Sequence, residues 1–223
     1  MGNLPLLLGH RGARASASVA ENTFASFDLA LRHGCDGFEF DVRLTGDGSA
    51  VVCHDPRVGK VTVARAKSGQ LAQLPRLDEL VRDYGARAFL DIELKVEDLE
   101  SKILEILHRY PPEVGYVVSS FIPDVVMNLE ARSAAVSIGI ICETTDELAR
   151  WPNLRLDFVI VHHALVEEEL VQRVQSAGLK ILVWTVNDPQ AMLRFAGWGV
   201  DGIISDETEL LVRTLRRSRA NTA

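Results

Sequence analysis

Gly37-Phe38-Glu39-Phe40-Asp41-Val42-Arg43-Leu44 is the stretch from which the rest of the chain can be read. Side chains alternate across a strand, so Phe38, Phe40, Val42 and Leu44 share one face while Glu39, Asp41 and Arg43 share the other. The apolar face has to be covered, and helices are the usual cover for a strand buried on both sides. The charged face must then open onto a mouth where carboxylates are useful. Residues 88–95 repeat the scheme: Leu90, Ile92 and Leu94 fall on the covered face, and Asp91, Glu93 and Lys95 on the other.

Working outward, further strand-like runs lie at 6–9, 115–121, 136–142, 158–162, 180–186 and 202–205, which makes eight in all. Apolar residues at helical spacing follow several of them: Phe24, Phe27 and Leu31, then Leu99, Ile103, Ile106, Leu107 and Tyr110, then Leu170, Val174 and Ala177. Asn22-Thr23 can cap the first helix, Gly34 can end it, and Asp188-Pro189 supplies a cap followed by proline. Eight strand–helix units average about 28 residues each, which fits an α/β chain folded as a compact (β/α)8 TIM barrel. An open doubly wound sheet is the competing fold. It would normally carry a glycine-rich phosphate loop, and Gly9-His10-Arg11-Gly12 lacks that spacing. No linker interrupts the pattern, so residues 1–223 read as one domain, with room only for a small hairpin or short insertion after the second strand. Gly34-Cys35-Asp36-Gly37 and Gly199-Val200-Asp201-Gly202 look like a repeated turn on the barrel face away from chemistry, which makes Asp36 and Asp201 structural.

Lys plus Arg number 24 against 31 for Asp plus Glu, a net charge of -7 that argues against nucleic acid as a partner. A small anion is still admissible if a metal and local cations reverse the potential inside a cleft. The three cysteines show no metal or redox spacing and read as buried thiols of a reducing compartment. No basic leader precedes the first strand and no apolar run reaches membrane-spanning length. The expectation is a cytoplasmic protein without a stable membrane anchor; its oligomeric state is left open.

Carboxylates converging at the strand ends repel, by about 4 kcal/mol per pair at about 4 Å and an effective dielectric near 20. Protonation or a hard divalent cation relieves that cost, and an all-oxygen donor set favours magnesium or calcium. His10 and His54 each close an apolar run and are the obvious proton carriers. Asp55, next to Pro56, is expected to be a turn former and not a partner of His54. Arg11 and Lys95 suit a phosphate. Trp184 closes the seventh run, as a pocket wall or as core, and His162-His163 reads as a polar strand end. The combination points to metal-assisted cleavage of a phosphate ester.

These motifs, in order, resemble the glycerophosphodiester phosphodiesterases from His10 to about Asp206. They are His10-Arg11-Gly12, Glu21-Asn22-Thr23, Gly37-Phe38-Glu39-Phe40-Asp41-Val42, Thr45-Gly46-Asp47-Gly48 with Val51-Val52-Cys53-His54-Asp55, and Asp91-Ile92-Glu93-Leu94-Lys95. Ser119-Ser120-Phe121, Val183-Trp184-Thr185-Val186-Asn187 and Gly199-Val200-Asp201-Gly202-Ile203-Ile204 complete the series. The resemblance implies a barrel that hydrolyses glycerophosphodiesters to glycerol phosphate and an alcohol. It also implies an acid–base pair of His10 and His54, one divalent metal (Mg2+ or Ca2+) on Glu39, Asp41 and Glu93, phosphate contacts from Arg11 and Lys95, and pocket walls from Phe121 and Trp184. Rival readings are a phospholipase D-like barrel acting on lysophospholipids or sphingomyelin, and a non-catalytic phosphodiester-binding barrel. Only 38 residues separate His54 from Glu93, where the family commonly carries a larger insertion. With so little lid, the alcohol half of the substrate is expected to be poorly discriminated.

Overall fold

Strands β1 (Leu6–His10) and β2 (Gly37–Leu44) are followed by three short ones, β3 (Ala50–Val52), β4 (Arg57–Val58) and β5 (Val61–Thr62). Then come β6 (Phe89–Leu94), β7 (Tyr116–Ser120), β8 (Ile138–Cys142), β9 (Phe158–His162), β10 (Lys180–Trp184) and β11 (Gly202–Ser205). In this computed structural model, which describes residues 4–220 and side chains through residue 216, the strands run in the order β1-β11-β10-β9-β8-β7-β6-β2. Pairing of β1 with β2 closes the ring, and every pairing within it is parallel. The (β/α)8 barrel expected from the sequence is therefore present. Residues 1–3, which enter the reading of the leader, lie outside the described residues.

The alternation read from the sequence sorts the interior into two cores. Phe38, Phe40, Leu90, Ile92, Val159, Val183 and Ile203 point outward and join the layer under the helices. Leu8, Phe89, Val117, Ile141, Phe158, Ile160, Leu182 and Ile204 point inward and fill the barrel. Each fully buried side chain of this kind contributes about 1.5–3 kcal/mol. Inside, size is matched across neighbouring strands. A Cβ at Gly37 would collide with the Phe89 backbone, and one at Gly202 with the Leu182 side chain.

Helix α1 (Phe24–His33) begins in a capping box between Thr23 and Ser26 and ends at Gly34, whose φ of 101° is left-handed. The remaining long helices are α2 (Leu77–Tyr84), α3 (Glu100–Arg109), α4 (Pro123–Arg132), α6 (Glu168–Ser176), α7 (Pro189–Gly197) and α8 (Thr208–Ala220), with a single turn, α5 (Thr145–Leu148), after β8. The repeated turn has a structural use. Asp36, just before β2, accepts the backbone N–H of Leu7 in β1, and Asp201, just before β11, accepts that of Ile181 in β10. Asp157 does the same between β9 and β8.

β2 outruns β1, and this decides where the second histidine goes. β1 pairs with β2 only as far as His10 opposite Glu39. Beyond that point the antiparallel β3 takes over the same edge, Val52 opposite Val42, and Cys53 donates its N–H to the Asp41 carbonyl. The insertion that follows is the β4–β5 hairpin and two 3-10 turns on a small core of Val51, Cys53, Val63, Ala66 and Leu71. Asp47, in the β2–β3 turn, anchors it by accepting from both the N–H and the hydroxyl of Ser68.

Candidate active site

The β2–β6 register places Glu39 beside Asp91 and Asp41 beside Glu93, all facing inward and all buried. One carboxylate oxygen from each of Glu39, Asp41 and Glu93 lies within 4.8 Å of the others. Each of the three also carries a buried oxygen that accepts no hydrogen bond: Glu39 Oε1, Asp41 Oδ1 and Glu93 Oε1. Two permanent cations face the cluster. Arg11 Nε lies 3.1 Å from Asp41 Oδ2, and Lys95 Nζ lies 3.4 Å from Asp41 Oδ1 and 2.6 Å from Glu93 Oε1, as ion pairs without hydrogen-bond alignment.

Electrostatics separate the four acids. Burial, then the neighbouring Asp41 and Glu93 charges, raises Glu39 well above the ordinary carboxylate range. Burial likewise pushes Glu93 up to about 7 and Asp91 up to about 7, although Ser119 donates a 2.6 Å hydrogen bond to Asp91. Burial would raise Asp41 as well, but Arg11, Lys95 and the Asn22 amide overcome it and hold Asp41 low. That amide donates to Asp41 Oδ2 at 2.8 Å.

The sharp turn after β1 places Arg11. Its φ is 52° and that of Gly12 is 82°, and a Cβ on Gly12 would strike the Ser26 backbone. The Arg11 N–H therefore points back to Glu39 Oε2 at 3.0 Å, while its guanidinium reaches Glu21 as well as Asp41. His10 ends β1 with Nδ1 2.7 Å from Asp206 Oδ1 and Nε2 3.8 Å from Glu39 Oε2. His54 lies just past β3, its Nδ1 2.8 Å from Asp55 Oδ1 and its carbonyl accepting from Arg43 Nε at 2.7 Å.

His10, His54, Arg11, Lys95, Glu39, Glu93, Phe121 and Trp184 all line one cavity of about 260 Å³, as does Asp91. Asp41 is fully buried behind it. Phe121 and Trp184 meet edge-to-face with centroids 5.5 Å apart, and both pack on the inner core. Trp184 is thus wall and core together. His162 meets the Trp184 ring edge-to-face, and neither it nor His163 is among the residues lining the cavity, as expected of a polar strand end.

Two residues read differently in three dimensions. Asp55 is not only a turn former: Pro56 leaves the loop tight enough for its carboxylate to fold back on the adjacent imidazole. Asp206 has no counterpart among the residues singled out from the sequence. It holds His10 and is itself gripped by Asn187 and Arg14. Burial opposes its ionisation, yet the bonds to His10 and Asn187 keep it well below the ordinary range. Only closure of the barrel brings these residues together, 196 positions apart. The available signal was positional: Asp206 directly follows the last strand as Arg11 directly follows the first.

Comparison with known proteins shows the family to which the chain belongs. The model of the Glycerophosphoryl diester phosphodiesterase family matches residues 10–116 and 95–210. A glycerophosphodiester phosphodiesterase of Caldanaerobacter subterraneus subsp. tengcongensis is 30% identical, across 95% of this chain and 98% of that protein. Among solved structures, the glycerophosphodiester phosphodiesterase of Thermotoga maritima superposes with a TM-score of 0.82 at 27% identity, covering 96% of this chain and 99% of that one. An Oleispira antarctica phosphodiesterase, solved in complex with the product sn-glycerol-3-phosphate, gives 0.83 at 25% identity, covering 96% and 97%. On the family match and the Caldanaerobacter relative, the chain belongs to the glycerophosphoryl diester phosphodiesterase family.

Proposed function

We propose that this protein hydrolyses glycerophosphodiesters to glycerol phosphate and an alcohol, with Glu39, Asp41 and Glu93 holding one divalent cation, Mg2+ or Ca2+. The observation that carries the reading is the trio of buried carboxylates, each with an oxygen that accepts no hydrogen bond, in one mouth with two histidines and two cations. An all-oxygen donor set with orphaned oxygens fits a hard cation. When bound, such an ion supplies charge neutralisation and polarisation of the phosphate. Arg11 and Lys95 bind the remaining phosphate oxygens and stabilise the charge that develops on them. Each histidine has its Nδ1 against a carboxylate, so Nε2 is the atom that exchanges protons with substrate. One ring takes the proton of the nucleophile, water or the glycerol 2-hydroxyl, and the other returns one to the leaving alkoxide, each worth a factor of about 10² to 10⁴. Phe121 and Trp184 wall the organic part of the diester. The product complex of the Oleispira protein supports the glycerol phosphate half of this assignment.

We further read residues 1–223 as one domain acting in the cytoplasm, the latter on the strength of three unpaired buried thiols. No helix among the described residues is long and apolar enough to cross a membrane. A panel of glycerophosphodiesters assayed with magnesium, calcium or chelator tests the proposal. Asp41→Asn or Glu39→Gln should abolish metal binding and nearly all turnover while the far-ultraviolet circular dichroism stays native. Saturating metal at a hundredfold excess over Kd should stabilise the wild type by about 2.7 kcal/mol. Full activity after exhaustive chelation would sink the metal assignment. Phosphorus NMR of the reaction, by trapping or excluding a cyclic phosphate, separates attack by the glycerol hydroxyl from attack by water.

A further inference from the structure

Across the cavity from the carboxylate cluster, the wall formed on the β7 to β11 side is lined by Phe121, Ile141, Ile160, Trp184, Ile204 and one charged residue, Glu143. Glu143 follows β8 directly and is exposed at the rim. Its main chain is fixed: the N–H groups of Glu143 and Thr144 both donate to Glu147 Oε2, and Thr144 caps the turn in return. Its own carboxylate has no ion-pair or hydrogen-bond partner among the described residues. Of the permanent cations of the cavity, Arg11 is committed to the opposite side, against Asp41, and Lys95 is ion-paired with Asp41 and Glu93 while its ammonium lies 5.5 Å over the Phe121 ring at the near end of the wall. A phosphate held by these cations can extend an organic arm along the apolar wall, which Glu143 lines with the one carboxylate on that side.

We propose that Glu143 makes this wall a subsite for a positively charged alcohol, so that diesters whose leaving alcohol carries an ammonium group are preferred over neutral ones. This rests on the phosphodiesterase reading above. An aromatic and aliphatic surface accepts the carbon skeleton of a primary or quaternary ammonium alcohol, and the rim carboxylate supplies the opposite charge. A neutral polyol arm gains no comparable attraction. Because Glu143 is solvated, the preference is modest, about threefold to tenfold in kcat/KM, and it fades as salt screens it.

The experiment measures kcat/KM for glycerophosphocholine, glycerophosphoethanolamine and glycerophosphoglycerol, on wild type, Glu143→Gln and Glu143→Lys, at low and high ionic strength. The expected result is a preference for the two cationic substrates, carried in KM. It should collapse toward unity in Glu143→Gln or high salt and reverse in Glu143→Lys. Equal losses on all three substrates in Glu143→Gln would show that the carboxylate holds the shared glycerol, and would overturn the inference. So would a wild-type ratio near unity, or a ratio unmoved by the variants. Wild type that hydrolyses none of the three would instead bring down the phosphodiesterase reading, and this inference with it.

Discussion

On the β2 and β6 side of the barrel, the inward positions hold Glu39, Asp41, Asp91 and Glu93; on the β8 to β11 side, Ile141, Ile160, Leu182 and Ile204. Both halves share one scaffold and one parity. The apolar half leaves the Trp184 Nε1 without a hydrogen-bond partner, whereas the polar half keeps several oxygens without hydrogen bonds and acids pushed toward neutrality. Stability and chemistry therefore sit on opposite walls of the same ring. The polar side is tolerable because the rest of the interior stabilises it and because a bound cation would relieve it.

The sharpest way to break the comparison is at the histidines that edge the polar half. His10→Ala and His54→Ala should each lower kcat by about 10² to 10⁴, with little change in Tm. The double variant should lose far less than the product of the two, since groups acting together are non-additive. Steady-state kinetics on glycerophosphocholine reads both. On the apolar half, Leu182→Ala should cost about 2–5 kcal/mol in denaturant unfolding, because it removes a fully buried inward side chain, and should leave metal affinity unchanged. A loss of metal affinity without a loss of stability would mean the two walls are not separable in this way.

The smallest effect has the opposite sign. Asp91 in the fold titrates near 7, pushed up by burial, against an ordinary value near 4. A raised carboxyl stabilises the fold most fully when protonated, so its contribution is complete below the ordinary value and lost as the pH climbs through about 7. In chelator, wild-type Tm should therefore decline from about pH 5 to about pH 8 on account of this group. Asp91→Asn keeps an acceptor for Ser119 and should remove that decline, gaining about 2–4 °C at the alkaline end. A variant that tracks the wild type at every pH would show that Asp91 is ionised in the fold.

The barrel was legible in the sequence because parity is a local signal: Phe38 and Phe40 against Glu39 and Asp41 already say which face is covered. Strand ends were less legible. The run read as 180–186 stops at Trp184, and that read as 136–142 begins at Ile138. What ends a strand is the geometry of its neighbour, which a short window does not contain. The carboxylate trio and the cations were readable from two strands apiece. The Asp206 grip on His10 was not, because it depends on how the last strand meets the first. The Asp55 contact failed for a different reason: alternation predicts opposite faces only while a strand continues, and β3 has already ended at Val52.

That meeting of the first and last strands also has a cost in time. Leu6, Leu7 and Leu8 leave the ribosome early, while their partners Gly202, Ile203 and Ile204 come almost two hundred residues later. At roughly 5–20 residues per second, about 10–40 s of synthesis separates the two. Through that interval β1 can be paired on its β2 side alone, and its other edge is an open apolar template of the kind that recruits stray strands. The nascent chain is therefore exposed to misassembly at β1, and it stays so until β11 has been made.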